Sequence, residues 1–296
     1  MANTIAQFKK YVPLLDEVFQ NASLTSVLES DPGMVQQGTN VHEIIIPKMS
    51  MDGLGNYDHA AGYAMGGVNL TTETKVFNYE RGRMFTVDSV ENEESAGLAF
   101  GRLAGEFERT KVCPEADAVR LAALAAKAPA ANRAVQATFA DGKAVHTALN
   151  NAMTQMDEKE VGQEGRYLFV TPTIFAMLNN MDSYQSKAVL SLFAGVVKVP
   201  QTRFYSAVTL LTGADDATNR AGGYAKATGA VNLNFLIVYK PAVLQFTKHV
   251  APKVITPEQN QSADAWKFGY RVYGLNDVYE NKVNGLYVSS AAAITA

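Results

Sequence analysis

A single cysteine in 296 residues, Cys113, excludes an intrachain disulfide and leaves too few thiolates for a Cys-based zinc site. Such scarcity suits a reducing compartment. Clustered charge is also missing. The chain has 26 Lys and Arg against 29 Asp and Glu, a formal net charge of -3, and no basic run, so it is not a broadly basic nucleic-acid binder. No apolar stretch approaches the roughly 18 residues of a spanning helix, and Met1 to Lys10 lacks the apolar centre of a signal peptide. The expectation is a soluble protein, intracellular when made, with no membrane partner. What is present is globular. With 47% hydrophobic and 19% charged residues, the chain can bury a real core and is no disordered tail.

Local catalytic signatures are absent as well. His42, His59, His146 and His249 lie far apart, with no H-E-x-x-H pair, and are read as solvated or packed side chains. Neither Gly53-Leu54-Gly55 nor Gly222-Gly223 continues into a dinucleotide fingerprint, and both are read as turns. No phosphate loop and no G-x-S-x-G elbow occur. Cys113, just before Pro114, is read as a small buried hydrophobe. Glu91, Glu93 and Glu94 complement the positive end of a helix dipole. The reading therefore names no catalytic, cofactor-binding or metal-ligating residue, and no cofactor.

The order of elements carries more information. Residues 1–40 read as an arm with short helical pieces, broken at Asp31-Pro32-Gly33 and too poor in apolar surface to fold alone. His42 to Met49, with Ile44-Ile45-Ile46, reads as a strand stopped by Pro47. A glycine-rich excursion from Met51 to Leu70 follows, and Thr74 to Asp88 alternates at strand period. Together these describe a hairpin projecting from the body. Asn92 to Lys127 is the strongest helical segment, and Pro114 is expected to kink or divide it. Val145, Ala148, Leu149, Ala152, Met153 and Met156 share one face of a helix starting at Asp141. Arg166 to Val170 is a short strand, and Thr171-Pro172 opens a helix. Val231 to Tyr239 is a buried strand. Val243 to Val254 and Ala265 to Gly274 are longer strands around the polar loop Thr256 to Asp264, and Gly285 to Ser289 closes the chain. Helices and strands mix without regular alternation, so the class is α+β.

This order, with its running text, resembles the tailed-phage major capsid family, the Johnson fold that encapsulins share. The similar text is Glu43-Ile-Ile-Ile-Pro-Lys-Met-Ser-Met-Asp-Gly-Leu-Gly, Tyr79-Glu-Arg-Gly-Arg-Met-Phe-Thr-Val-Asp, Gly101-Arg-Leu-Ala-Gly-Glu-Phe, and Thr256 through Tyr273. It is similar to capsid subunits from phages and prophages of low-GC Gram-positive bacteria. The resemblance implies an N-arm at residues 1–40, and an E-loop hairpin with flanking strands at 41–89. It implies a peripheral domain at 90–127 and 243–275, containing a spine helix, and an axial domain at 128–242 and 276–296. It further implies a structural subunit, not an enzyme, that assembles in the bacterial cytoplasm into pentamers and hexamers of a virion head around weakly contacted double-stranded DNA. Implied partners are a scaffold, either a separate protein or a removed pro-segment, together with a portal and decoration proteins. Candidate inter-subunit contacts are Asp52, Gly53, Tyr57, Tyr63 and Asn69 in the hairpin, with Gln259 and Asn260 in the polar loop. Gly97, Gly101, Gly105 and Pro114 are candidate bending points of the spine helix. The Lys–Asn cross-link of some relatives has no assignable pair here. Two alternatives stay open: an encapsulin shell, and a soluble enzyme whose site is assembled from distant residues.

Overall fold

The computed structural model describes residues 23–30, 36–37, 43–59, 62–90, 98–181, 184–214, 217 and 219–294. Its first strands are β1 (Gln36–Gln37), β2 (Glu43–Met51), β3 (Val68–Val76) and β4 (Tyr79–Asp88). The first three form an antiparallel sheet in that order, with Met51 opposite Val68 at the far end of the β2–β3 hairpin. Two expectations need correcting. Pro47 does not stop the strand, which continues to Met51. Among the described residues, β1 pairs only with Ile44 and Ile45 and Pro47 pairs only with Thr72 of β3, an edge position where a sheet tolerates a residue without an N–H. The alternation from Thr74 to Asp88 is also two strands and not one. Phe77 and Asn78 turn the chain between them, and β4 joins a different sheet. Asn78 holds that corner by donating to the Asn276 carbonyl at 2.8 Å and accepting from its N–H at 3.0 Å.

The long helix comprises α1 (Leu98–Phe107), a π turn at Glu108–Val112, and α2 (Cys113–Lys127). The Cys113 N–H reaches the Glu108 carbonyl, five residues back, and the backbone stays right-handed helical throughout. Pro114 therefore does not break the helix. The wider turn just before it shifts the hydrogen-bond register at the place where a proline cannot donate.

The body follows as β5 (Ala134–Gln136), α3 (Gly142–Asp157), β6 (Arg166–Val170), α4 (Pro172–Asn179), α5 (Tyr184–Ser191) and β7 (Gly195–Lys198). Then come β8 (Val208–Leu210), β9 (Tyr224–Lys226), β10 (Leu233–Tyr239), β11 (Val243–Val250), β12 (Lys253–Ile255), β13 (Ala265–Val278) and β14 (Leu286–Ser290). Both helices begin where the sequence places them, each on a side-chain cap. Asp141 accepts from the Ala144 N–H at 2.8 Å, and Thr171 from the Ile174 N–H at 3.4 Å.

The body sheet runs β5-β14-β10-β6-β7. Its central strand β10 sends Phe235 and Ile237 to one face, against Val145, Leu149 and Met156 of α3. Leu236 and Val238 go to the other, against Leu121 and Leu124 of α2. Each of these side chains contributes about 1.5–3 kcal/mol by leaving water. A second sheet is built on β13, with β11 and β12 along one edge and β4 along the other. The expected strand Val243 to Val254 is thus divided: β11 ends at Val250, and Pro252 lies between it and β12. Among the described residues, no helix is long and apolar enough to cross a membrane.

Candidate functional site

The hairpin has two different ends. Near the body, Ile44 and Ile46 are buried with Leu244, Phe246 and Leu275. Farther out, the same alternation places Met49 opposite Leu70 and Met51 opposite Val68 on one face. These four are 62–69% exposed. At the tip, Leu54, Tyr63 and Met65 are at least 87% exposed. The tip has its own internal order. Asp52 Oδ2 accepts from the Gly67 N–H at 2.7 Å, Asp58 pairs with Gly62, and the Tyr57 and Tyr63 rings meet edge-on at 4.9 Å. Contiguous apolar side chains held this far from a core mark an interaction surface. Gly53 is exposed there, and Asn69 pairs with Ser50 on the opposite face.

Charge fixes the base of the hairpin. Lys75 lies 2.9 Å from Glu73 and 3.2 Å from Asp277. Lys48 reaches Glu280 at 3.0 Å, and Lys127, the last residue of α2, reaches Asp277 at 3.1 Å. One cluster thus joins hairpin, spine helix and β13. Burial opposes the Lys75 ammonium, but the bonds and charges of Glu73 and Asp277 outweigh it and raise its pKa. Burial likewise pushes the Asp277 carboxyl up, yet the Val278 N–H, Lys127 and Lys75 together bring it below its ordinary value. Lys48 lowers exposed Glu280 in the same direction. The signs define a window. The depressed carboxyls stabilise the junction at neutral pH and lose that contribution in acid, as pH falls through their lowered folded values. The raised lysine keeps its contribution until pH rises above about 10.5. Amide exchange over residues 43–51 and 68–76 should therefore accelerate in acid before the β10 amides respond. Simultaneous loss of protection in both regions would show that the cluster does not hold the hairpin.

Gln259 and Asn260 stand on the loop between β12 and β13. The Asn260 amide donates to the Ala265 carbonyl at 2.9 Å, and its Oδ1 accepts from Ser262 Oγ at 2.8 Å. This residue shapes its own loop, while Gln259 closes a short turn by donating its N–H to the Thr256 carbonyl. Among the described residues, no hydrogen bond or ion pair joins either to the hairpin tip of the same chain.

Sequence reasoning missed the seat of residues 23–30. Asp117, on α2, is fully buried. It accepts from Ser23 Oγ at 2.8 Å, the Leu24 and Thr25 N–H groups at 3.0 and 3.1 Å, Thr25 Oγ1 at 2.7 Å, and Arg203 at 3.3 Å. Gln245 donates to the Thr25 carbonyl, and Leu28 enters the main core. The available signal was a lone acid between Ala116 and Ala118 on the apolar side of a helix.

Of the four bending candidates, Gly97 lies outside the described residues. Gly101 and Gly105 are in α1, and Pro114 is the second residue of α2. A methyl group added at Gly105 would meet nothing within 4 Å. Gly105→Ala should therefore raise stability by about 0.5–1 kcal/mol through helix propensity alone. A lower denaturation midpoint would show that the position needs glycine. Cys113 is buried, and burial, followed by the charges of Asp117 and Glu108, pushes its thiol up to about 12, far from a nucleophile's range.

A cavity of about 970 Å³ opens between β4, the π turn and the β8–β9 hairpin. Arg81 crosses its wall, paired with Glu115 at 2.6 Å and donating to the Leu211 and Gly223 carbonyls. Gly213, Gly222 and Gly223 have positive φ, as turns require. A methyl at Gly213 would approach Arg83 to 2.7 Å, so the glycine leaves room for that guanidinium. Among the described residues, no three of His, Cys, Asp and Glu stand together as metal ligands.

No family model matches the sequence, and no curated protein matches it significantly. Solved structures do match. The capsid of cyanophage P-SCSP1u aligns over 92% of this chain and 89% of its own, with TM-score 0.58 and 12% identity. The mature capsid of bacteriophage PhiM1 aligns over 86% and 83%, with TM-score 0.56 and 11% identity. A virus-like particle from Pyrococcus furiosus aligns over 92% and 98%, with TM-score 0.51 and 11% identity. The chain thus has the tailed-phage capsid fold, a Johnson fold of mixed helices and sheets, as its sequence order leads one to expect.

Proposed function

We propose that the chain is a non-enzymatic shell subunit, the major capsid protein of a tailed phage. The observation that carries this reading is the projecting hairpin, firmly seated at its base and apolar at its far end, on a capsid fold matched over most of its length. A monomer gains nothing from leaving such a surface in water. A shell repeats one modest contact many times.

In this reading residues 1–40 are the arm, 41–89 the hairpin unit, 90–127 with 243–275 the peripheral domain, and 128–242 with 276–296 the axial domain. Asp52, Gly53, Tyr57, Tyr63, Asn69, Gln259 and Asn260 lie at contacts between subunits of pentamers and hexamers. The spine helix bends around its glycines and the π turn as the shell matures. The shell encloses double-stranded DNA within the virion, and the net charge of -3 supports only weak contact with it. Scaffold, portal and decoration proteins complete the assembly in the host cytoplasm.

Electron microscopy of the purified protein tests the reading. Closed shells are expected, and shells from infected cells should hold DNA. A compact monomer at every concentration would defeat the proposal, and shells filled with a protein cargo would favour the encapsulin alternative.

A further inference from the structure

We propose that the cavity between β4, the π turn and the β8–β9 hairpin binds a small aromatic phosphate, of the size and charge of a nucleoside monophosphate. The site is complete within one chain, so it stands apart from the shell reading. Arg81, Arg83, Lys111 and Lys226 line the cavity against Glu106 and Glu115. Both acids are already taken: Glu115 by Arg81 at 2.6 Å, and Glu106 by Arg109. Arg83, Lys111 and Lys226 remain, and among the described residues none of them meets a carboxylate in an ion pair. Three uncompensated cations around one concave space attract an anion, because low-dielectric walls focus their field.

The cations are also placed. Lys226 Nζ donates to Asn232 Oδ1 at 2.9 Å and stands 5.4 Å from the Tyr205 ring centre. Arg83 Nη2 donates to the Arg220 carbonyl at 3.1 Å. Its Nη1 lies 2.7 Å from where a methyl at Gly213 would stand, and 3.3 Å from one at Gly222. The two glycines thus leave a slot for the guanidinium. A planar fork held this way suits a phosphate and needs little ordering on binding.

Beside the cations is an aromatic wall. Arg81, Arg83 and Phe85 share one face of β4, and Tyr270 of β13 lies opposite Arg83. The rings of Phe85, Phe107 and Tyr270 meet edge-on, with centroids 4.8 and 6.1 Å apart, and Phe85 and Phe107 are only half-buried. Phe85 and Arg83 stand about 7 Å apart along the strand, comparable to the separation of base and phosphate in a mononucleotide. The volume of about 970 Å³ admits such a molecule whole. Inorganic phosphate would leave the rings unused, and duplex DNA keeps its bases stacked inside, out of their reach. A bound nucleotide would brace β4 and the π turn against the β8–β9 hairpin, which Arg81 already joins through the Leu211 and Gly223 carbonyls.

Titration calorimetry of the full chain with adenosine monophosphate tests this. Saturable binding of one molecule per chain is expected, at least tenfold tighter than that of inorganic phosphate or of adenosine, each of which offers half of the recognition. Amide exchange over residues 208–210 and 224–226 should slow in the complex. Arg83→Gln should weaken binding at least tenfold through loss of charge-assisted hydrogen bonds. The melting temperature of the free protein should not change, because the side chain is exposed. Lys111→Gln, at another exposed position, should act in the same direction and covers the case in which Arg83→Gln misfolds. No saturable binding at millimolar nucleotide would overturn the proposal. So would inorganic phosphate binding as tightly as the nucleotide, displacement of the nucleotide by duplex DNA, or unchanged affinity in a folded variant.

Discussion

Replacing Asp117 by alanine is expected to cost about 3–5 kcal/mol of subunit stability, the usual effect of removing one partner from a buried, charged cluster. In a chain of this size that is a fall in melting temperature of about 10 °C. The carboxylate is fully buried and answers donors on Ser23, Leu24, Thr25 and Arg203. Alanine strands the buried donors of Ser23 and Thr25, and each stranded donor keeps its desolvation cost, while Leu24 and Arg203 are only partly shielded from water. Asp117→Asn retains the shape but loses the charge and one acceptor oxygen, so its loss should be smaller, about 1–3 kcal/mol. Residues 23–30 are tied to the body mainly here and at Gln245, and limited proteolysis should find them released in the alanine variant. A change under 1 kcal/mol in denaturant unfolding of the unassembled subunit would show that the cluster contributes little.

The same residue marks how far the sequence could be read. Elements whose pattern and caps agree were legible. The apolar stripe of α3 begins at Asp141, its actual cap, and Thr171-Pro172 opens α4 as expected. Strand β10 was clear because it is buried on both faces and needs no particular partner to be apolar. Boundaries set by tertiary pairing were not legible. Alternation passes unbroken through Phe77 and Asn78, although the chain changes sheets there. Pro47 breaks a strand only when both edges are paired. Strands β5, β7, β8 and β9 have three or four residues each, too few to show a period. The cavity escaped notice for a related reason. Its arginines lie in β4, its glycines in the loop between β8 and β9, and only the folded chain brings them together. Asp117, Arg120 and Arg166 are buried charges, and a polar letter inside an apolar pattern does not name its partner.

Removing the hairpin tip is expected to abolish shells while sparing the fold. The structure indicates where to cut. Asp52 and Gly67 are already hydrogen-bonded through Asp52 N–H and the Gly67 carbonyl at 3.2 Å, and Met51 pairs with Val68 just inside them. Deleting residues 53–66 and joining Asp52 to Gly67 leaves a two-residue Asp-Gly loop, a sequence strongly preferred for tight hairpin turns. The shortened hairpin keeps its buried Ile44 and Ile46 and every ion pair at its base, because Lys48, Glu73 and Lys75 all lie outside the cut. Among the described residues of the cut, none belongs to the core: Leu54, Tyr57, Tyr63 and Met65 are exposed in the isolated subunit. The melting temperature of the unassembled variant should therefore stay within about 2 °C of the parent, since exposed sites rarely contribute more than about 0.5 kcal/mol. Assembly should fail at concentrations where the parent forms shells, because the cut removes Leu54, Tyr57, Tyr63 and Met65, the exposed apolar residues at the far end of the surface that Met49, Met51, Val68 and Leu70 begin. Analytical ultracentrifugation separates the outcomes. A folded, small species bears out the expectation; an unfolded one would place the tip in the core, and normal shells would show that neighbouring subunits do not use it.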